Sequence, residues 1–185
     1  MLGKSLFQPS AVRAQSPWGV HVFGLVLLLT ACASTSLIFA CATPFAAFAV
    51  MAVAMQPLRP ALVTIAAVWL LNQAIGFGIL GYPRTLDAAA WGLAIGVAAG
   101  IAAVMAQQIF HRLASLGRVA LYPVALVASF AAYEISLVAV TPILGGNGAF
   151  ALEIVGRLAF LNAVWLATLV ALTEIARALR YRMAG

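Results

Sequence analysis

The fold class this sequence predicts is an all-α polytopic membrane protein of about six transmembrane helices, with N and C termini cytoplasmic, and three observations predict it. Of 185 residues, 65% are hydrophobic and only 8% charged, with a mean hydropathy of +1.12; soluble domains run at about 45–50% apolar and about 25% charged. The apolar residues gather into runs close to the roughly 20 residues with which an α-helix crosses the hydrocarbon core. Basic residues fall at alternate ends of those runs, as retention of Lys and Arg on the cytoplasmic side requires. Residues 1–185 therefore read as a single transmembrane helical bundle with no separate soluble domain.

The first span is expected at about residues 20–40, after Lys4 and Arg13, and Thr43-Pro44 breaks it. A shorter second helix, about 44–55, ends at Gln56-Pro57-Leu58-Arg59-Pro60. The third covers about 61–80 and stops at Gly81-Tyr82-Pro83-Arg84; the fourth runs over about 90–110. Following His111, Arg112 and Arg118, the fifth extends over about 119–144, broken at its end by Pro142 and Gly145-Gly146-Asn147-Gly148. The sixth covers about 155–179 and leads into Arg180 and Arg182. This alternation puts Lys4 and Arg13, Arg59, Arg112 and Arg118, and Arg177, Arg180 and Arg182 on the cytoplasmic side. The opposite side carries Arg84 beside Asp87, and Arg157 beside Glu153. Were the second segment only re-entrant, Arg59 would lie outside and every later loop would flip, so the charges favour six crossings.

Leu29-Thr30-Ala31-Cys32 resembles a lipobox, but the apolar run continues past it through Ser36-Leu37-Ile38-Phe39, as a plain span does. Ten basic against four acidic residues give a net charge of +6, which in this setting is a topology signal, and no nucleic-acid partner is expected. The chain has no P-loop, no HExxH and no His/Cys cluster with metal-ligand spacing, so no metal site and no cofactor is expected. His21 and His111 are too isolated to form a metal pair. No nucleophile lies near a base, and Glu134 alone cannot supply both an acid and a base, so the chain does not read as an enzyme.

Small residues set helix packing in lipid, and Gly92, Gly96 and Gly100 recur at a four-residue spacing. They form either a packing seam within the bundle or a docking groove for another subunit. Thr30 to Ser36 is a second small-residue stretch. Among polar residues Glu134 stands out, near the middle of the fifth span without a Lys or Arg within a helical turn. It is either a neutral acid joining two helices by a hydrogen bond or a group awaiting a ligand or proton. Asn72 and Gln73 in the third span and Asn162 in the sixth lie at a comparable depth. Trp69, Asn72, Gln73 and Gly76 share a helical face, Trp165 shares that of Asn162, and Tyr133 forms a polar stripe with Ser129 and Ser136. Trp69, Asn72, Gln73, Tyr133, Glu134, Asn162 and Trp165 are the candidate ligand-binding set, suited to a small flat heterocycle. Tyr82 and Trp91 read instead as interfacial belt residues, and Glu174 as the local ion-pair partner of Arg177.

In size and layout the chain resembles the substrate-binding S components of energy-coupling-factor vitamin transporters, on the strength of the Thr30 to Ser36 run, the short second helix and the outward-facing polar set. The resemblance implies a membrane transport protein of the bacterial inner membrane that captures a vitamin-like solute from the outer face for uptake. It also implies docking to other membrane subunits through an alanine-x-x-x-alanine pattern in the first helix. Here the first helix offers Ala31 and Thr35, and Ala42 with Ala46 falls at the start of the second. The alternative is a non-catalytic accessory or assembly subunit of a larger membrane complex, holding partner helices along Gly92, Gly96 and Gly100.

Overall fold

In the computed structural model, residues 17–39 and 42–184 are described. They form α1 (Pro17–Phe39), α2 (Phe45–Met55), α3 (Leu58–Gly78), α4 (Leu86–Arg112), α5 (Arg118–Val138), the single turn α6 (Thr141–Leu144), a 3-10 turn (Asn147–Phe150) and α7 (Leu152–Ala184). Lys4, Arg13 and Cys41 lie outside the described residues. Five helices are long and apolar enough to cross a membrane, and α2 is a shorter apolar helix. The chain is an all-α polytopic integral membrane protein.

Several helix ends differ from the sequence expectation, each for a local reason. α3 starts at Leu58 and carries Pro60 in its first turn, where the missing N–H would have had no helical partner anyway. α4 starts at Leu86 because the Thr85 side chain accepts the Ala88 N–H at 3.2 Å and Asp87 occupies the first turn, complementing the positive helix end. α5 stops at Val138, and Thr141–Leu144 is a separate turn with Pro142 near its start. Gly145 and Gly146 then turn the chain with φ of 72° and 84°, values that glycine adopts without steric cost. α7 takes in the whole arginine tail as helix; its 33 residues make about 50 Å at a rise of about 1.5 Å per residue.

α2 is the centre of the bundle. Every residue from Phe45 to Val53 is buried, and the helix touches α1, α3, α4, α5 and α7. Its small faces, Ala46, Ala47, Ala49 and Ala52, let neighbours approach closely, while Phe48, Val50 and Met51 fill the spaces between them. α2 returns antiparallel to α1: Ser36 lies against Thr43 at one end and Gly24 against Met55 and Gln56 at the other. It runs parallel to α7, with Ala47 on Asn162 and Phe48 edge-on to Trp165 at 6.3 Å. Eleven residues make about 16 Å, short of the roughly 30 Å hydrocarbon core. The chain nonetheless returns to the end where α4, α5 and α7 carry their arginines, since Gln56 and Pro57 share a cavity wall with His111, Arg118 and Arg177.

The α3–α4 seam uses two of the three spaced glycines. A Cβ on Gly96 would stand 2.7 Å from Trp69 Cε2, and one on Gly92 would stand 2.5 Å from Gln73 Oε1. Gly100 faces open space, with nothing within 4 Å of a Cβ. Ala31 and Thr35 are also inside the bundle, 5% and 0% exposed. Substituting Gly96→Leu should therefore lower the stability of the detergent-extracted protein by about 1–3 kcal/mol, the usual cost of overpacking. Gly100→Leu should leave it unchanged; thermal unfolding of the two variants side by side checks both.

Candidate functional site

A helix that starts within a bundle leaves its first N–H groups without helical partners, and in lipid these must be satisfied by protein. The residue preceding α2 is Pro44, which supplies no side-chain cap. The Phe45 N–H turns back to Thr43 O at 2.9 Å, the Phe48 N–H reaches Pro44 O at 3.1 Å, and the Ala47 N–H donates to Asn162 Oδ1 at 2.9 Å. Asn162 thus caps α2 from another helix. Its orientation is fixed by its own Nδ2, which donates to Leu158 O one turn back along α7 at 2.9 Å.

Beside this cap, Asn72 Nδ2 donates to Thr43 Oγ1 at 2.8 Å and to Ser36 Oγ at 3.0 Å. Gln73 Nε2 donates to Asn72 Oδ1 at 3.3 Å, and the Cys32 thiol donates to Val68 O at 3.4 Å. The resulting chain of contacts ties α1, the α1–α2 connection and α3 together. Cys32 is fully buried within the continuous α1. The other hydroxyls of the small-residue run turn back onto their own helix: Thr30 to Val26 O, Ser34 to Thr30 O and Thr35 to Ala31 O, the bonding that lets such residues sit in an apolar helix.

Aromatic rings complete the surround. Tyr133 stacks on Phe45, the first residue of α2, with centroids 6.3 Å apart, and Trp165 meets Phe48. Five of the sequence-predicted residues, Asn72, Gln73, Tyr133, Asn162 and Trp165, therefore gather around the start of α2. Trp69 does not join them; its Nε1–H donates to Gly92 O at 2.8 Å and its ring covers Gly96. The space over Gly76, on the same face as Asn72, is filled by Tyr82, whose ring would lie 2.5 Å from a Cβ there. Ser129 faces inward and is fully buried, its Oγ without a partner among the described residues, while Ser136 donates to Ala132 O.

α5 ends at Val138, so Glu134 sits four residues before the helix terminus, while the apolar span itself continues through Thr141–Leu144 as the sequence suggested. Its Oε1 is buried and has no hydrogen-bond partner among the described residues. The helix-joining hydrogen bond, one of the two roles the sequence left open for Glu134, is not made by this oxygen among the described residues. Glu174 pairs with Arg177 as expected. Sequence reading missed Thr43 and Ser36 as partners of Asn72, and the only signal for them was polarity close to a Pro-marked helix start.

Asn162→Leu keeps the γ-branched shape and removes the acceptor of the Ala47 N–H. It should cost about 1–3 kcal/mol, as expected for a buried donor left unpaired. Amide exchange over residues 45–48 should accelerate in the variant, whereas that of α4 should change little; hydrogen exchange with mass-spectrometric readout tests the difference.

Compared with known protein families, with curated proteins and with solved structures, the chain matches none.

Proposed function

We propose that the protein is a non-enzymatic membrane transport protein that binds a small heteroaromatic, vitamin-like solute from the outer face of a bacterial inner membrane for uptake. The observation that carries this reading is the gathering of Asn72, Gln73, Tyr133, Asn162 and Trp165 around the start of a helix too short to cross the bilayer. Helices that begin inside a membrane bundle present N–H groups and positive dipole ends, which transporters use to hold polar parts of their substrates. α3 continues six residues beyond Asn72, α5 five beyond Tyr133, and α7 begins ten before Asn162. The start of α2 thus lies below the rim by about 8–15 Å at a rise of about 1.5 Å per residue.

The hydrogen bonds around α2 are closed on one another, so solute entry requires exchange. A heterocycle with an acceptor and a donor edge would take the Ala47 N–H from Asn162, or the Asn72 amide from Thr43, and slide between Tyr133 and Trp165. Glu134, with its unpartnered Oε1, would receive a donor of the solute. The likeness to S components supports the capture part of this reading only, because Ala31 and Thr35, through which it implied docking, are buried inside the bundle.

A second reading, the accessory or assembly subunit, is favoured by one observation. The far side of the α3–α4 seam holds a largely apolar groove of about 250 Å³, lined by Leu62, Ala66, Trp69, Leu93, Val97 and the open Gly100, among others. A partner helix would pack there through its own small residues.

Native mass spectrometry of the mildly extracted protein separates the two. Solute capture predicts a co-purifying small molecule whose occupancy falls at least tenfold in Glu134→Gln. The assembly reading predicts a bound polypeptide that persists in Glu134→Gln and is lost in Gly100→Leu. An empty wild-type protein that also gains no mass from a panel of heteroaromatic vitamins would overturn the capture reading.

A further inference from the structure

The basic end of the bundle holds a cavity of about 350 Å³ that lies apart from the start of α2. It opens where α2 and α4 end, α5 begins and α7 passes, and its polar wall is formed by Gln56, Gln107, His111, Arg118, Tyr122 and Arg177. These residues come from four separate stretches of the chain. Retention of basic residues on the cytoplasmic side explains why arginines lie at this end, but not why they border one cavity. Arg59 and Arg112 satisfy the same rule without lining it.

The two guanidinium groups of the wall can only donate, and the chain places few acids near them. Arg118 has no ion-pair partner among the described residues, and Arg177 shares only Glu174, the one acid near this end. A guanidinium carries five N–H donors, so that single pairing leaves most of those on Arg177 free. Gln56 is 5% exposed; its Oε1 accepts from Thr64 at 3.1 Å, and its Nε2 lies against Gly24 of α1, so it closes the cavity wall without offering it a donor. Arg118 is also the first residue of α5, whose preceding Gly117 provides no side-chain cap, so the positive end of that helix adds to the field. Tyr122 is held by edge-on contact with Phe110 at 5.8 Å. Arg180, by contrast, is engaged over the Phe23 ring at 5.1 Å.

We propose that this cavity binds a phosphate ester, clamped by Arg118 and Arg177 and hydrogen-bonded by His111, Tyr122 and Gln107. Paired guanidinium groups match the tetrahedral oxygens of phosphate, and the volume accommodates an ester substituent as well as the anion. Two sources carry this chemistry at the cytoplasmic face: the headgroup of an anionic phospholipid and a free phosphorylated solute.

The test uses the full chain in a zwitterionic detergent, with phosphatidylglycerol and phosphatidylcholine compared by native mass spectrometry, and inorganic phosphate and glycerol 3-phosphate compared by thermal shift. For a lipid headgroup, phosphatidylglycerol is retained at least tenfold over phosphatidylcholine, and Arg118→Gln and Arg177→Gln each abolish the preference. For a free ligand, glycerol 3-phosphate raises the melting temperature of the wild type and of Arg112→Gln, but not of Arg118→Gln. Arg118 and Arg177 are both exposed, and melting without ligand confirms that the variants fold; should Arg177→Gln unfold, Arg118→Gln decides. Equal retention of the two lipids with no shift from either phosphate compound overturns the proposal. So does a loss in Arg112→Gln as large as that in Arg118→Gln, which would report diffuse charge and no site.

Discussion

The start of α2 is the constraint on which the rest of the bundle depends. Backbone N–H groups that emerge inside a membrane protein have no water to turn to, and the chain answers with Asn162 on α7 and with the carbonyls of Thr43 and Pro44. That answer works only if α7 lies parallel to α2 at close range, which the alanines of α2 permit. It also requires the α1–α2 connection to be pinned, and Asn72 does this by donating to both Thr43 and Ser36. One short helix thereby sets the positions of α1, α3 and α7 together.

The same economy runs through the α3–α4 seam. Trp69 donates to a helical carbonyl, Gly92 O, which becomes reachable because neither Gly92 nor Gly96 carries a side chain. Polar side chains inside lipid have few ways to be satisfied, so a tryptophan or carboxamide that positions a helix and one that holds a ligand obey the same rule. What distinguishes them is whether their bonding capacity is spent. Around the start of α2 it is largely spent on the protein itself; among the described residues, the Oε1 of Glu134 and the Oγ of Ser129 on α5 and the Nε2 of Gln56 at the far end of α2 are the remainders.

Much of the fold was legible in the sequence, because six apolar runs separated by Pro, Gly and arginine admit few arrangements. The ends were less so: Thr85 and Asp87 draw α4 out to Leu86, and Pro60 opens a helix it had been read as preceding. Gly92, Gly96 and Gly100 announced a close approach, but only the opposing positions of Trp69 and Gln73 show which two of them are used. That Asn72 and Asn162 lie at a comparable depth was legible from their places in the third and sixth spans. Their partners were not, because a bond such as Ala47 to Asn162 joins residues 115 apart in the chain and leaves no periodic trace. The basic cavity was hidden for a different reason: each arginine had a sufficient explanation in topology, and nothing in a linear charge count shows that two of them face one volume.

The two ends of the bundle differ in chemical balance. Near the start of α2, carboxamides and hydroxyls, which both donate and accept, close upon one another, and the state is stable without a ligand. At the basic end the guanidinium groups of Arg118 and Arg177 can only donate, and Glu174 answers one of them. A set of dual-character groups can satisfy itself by rearrangement, whereas a set of pure donors cannot, whatever rotamers it adopts. Water hydrates such groups but brings no charge, and that difference between the two ends is why an anion is the ligand proposed for this one.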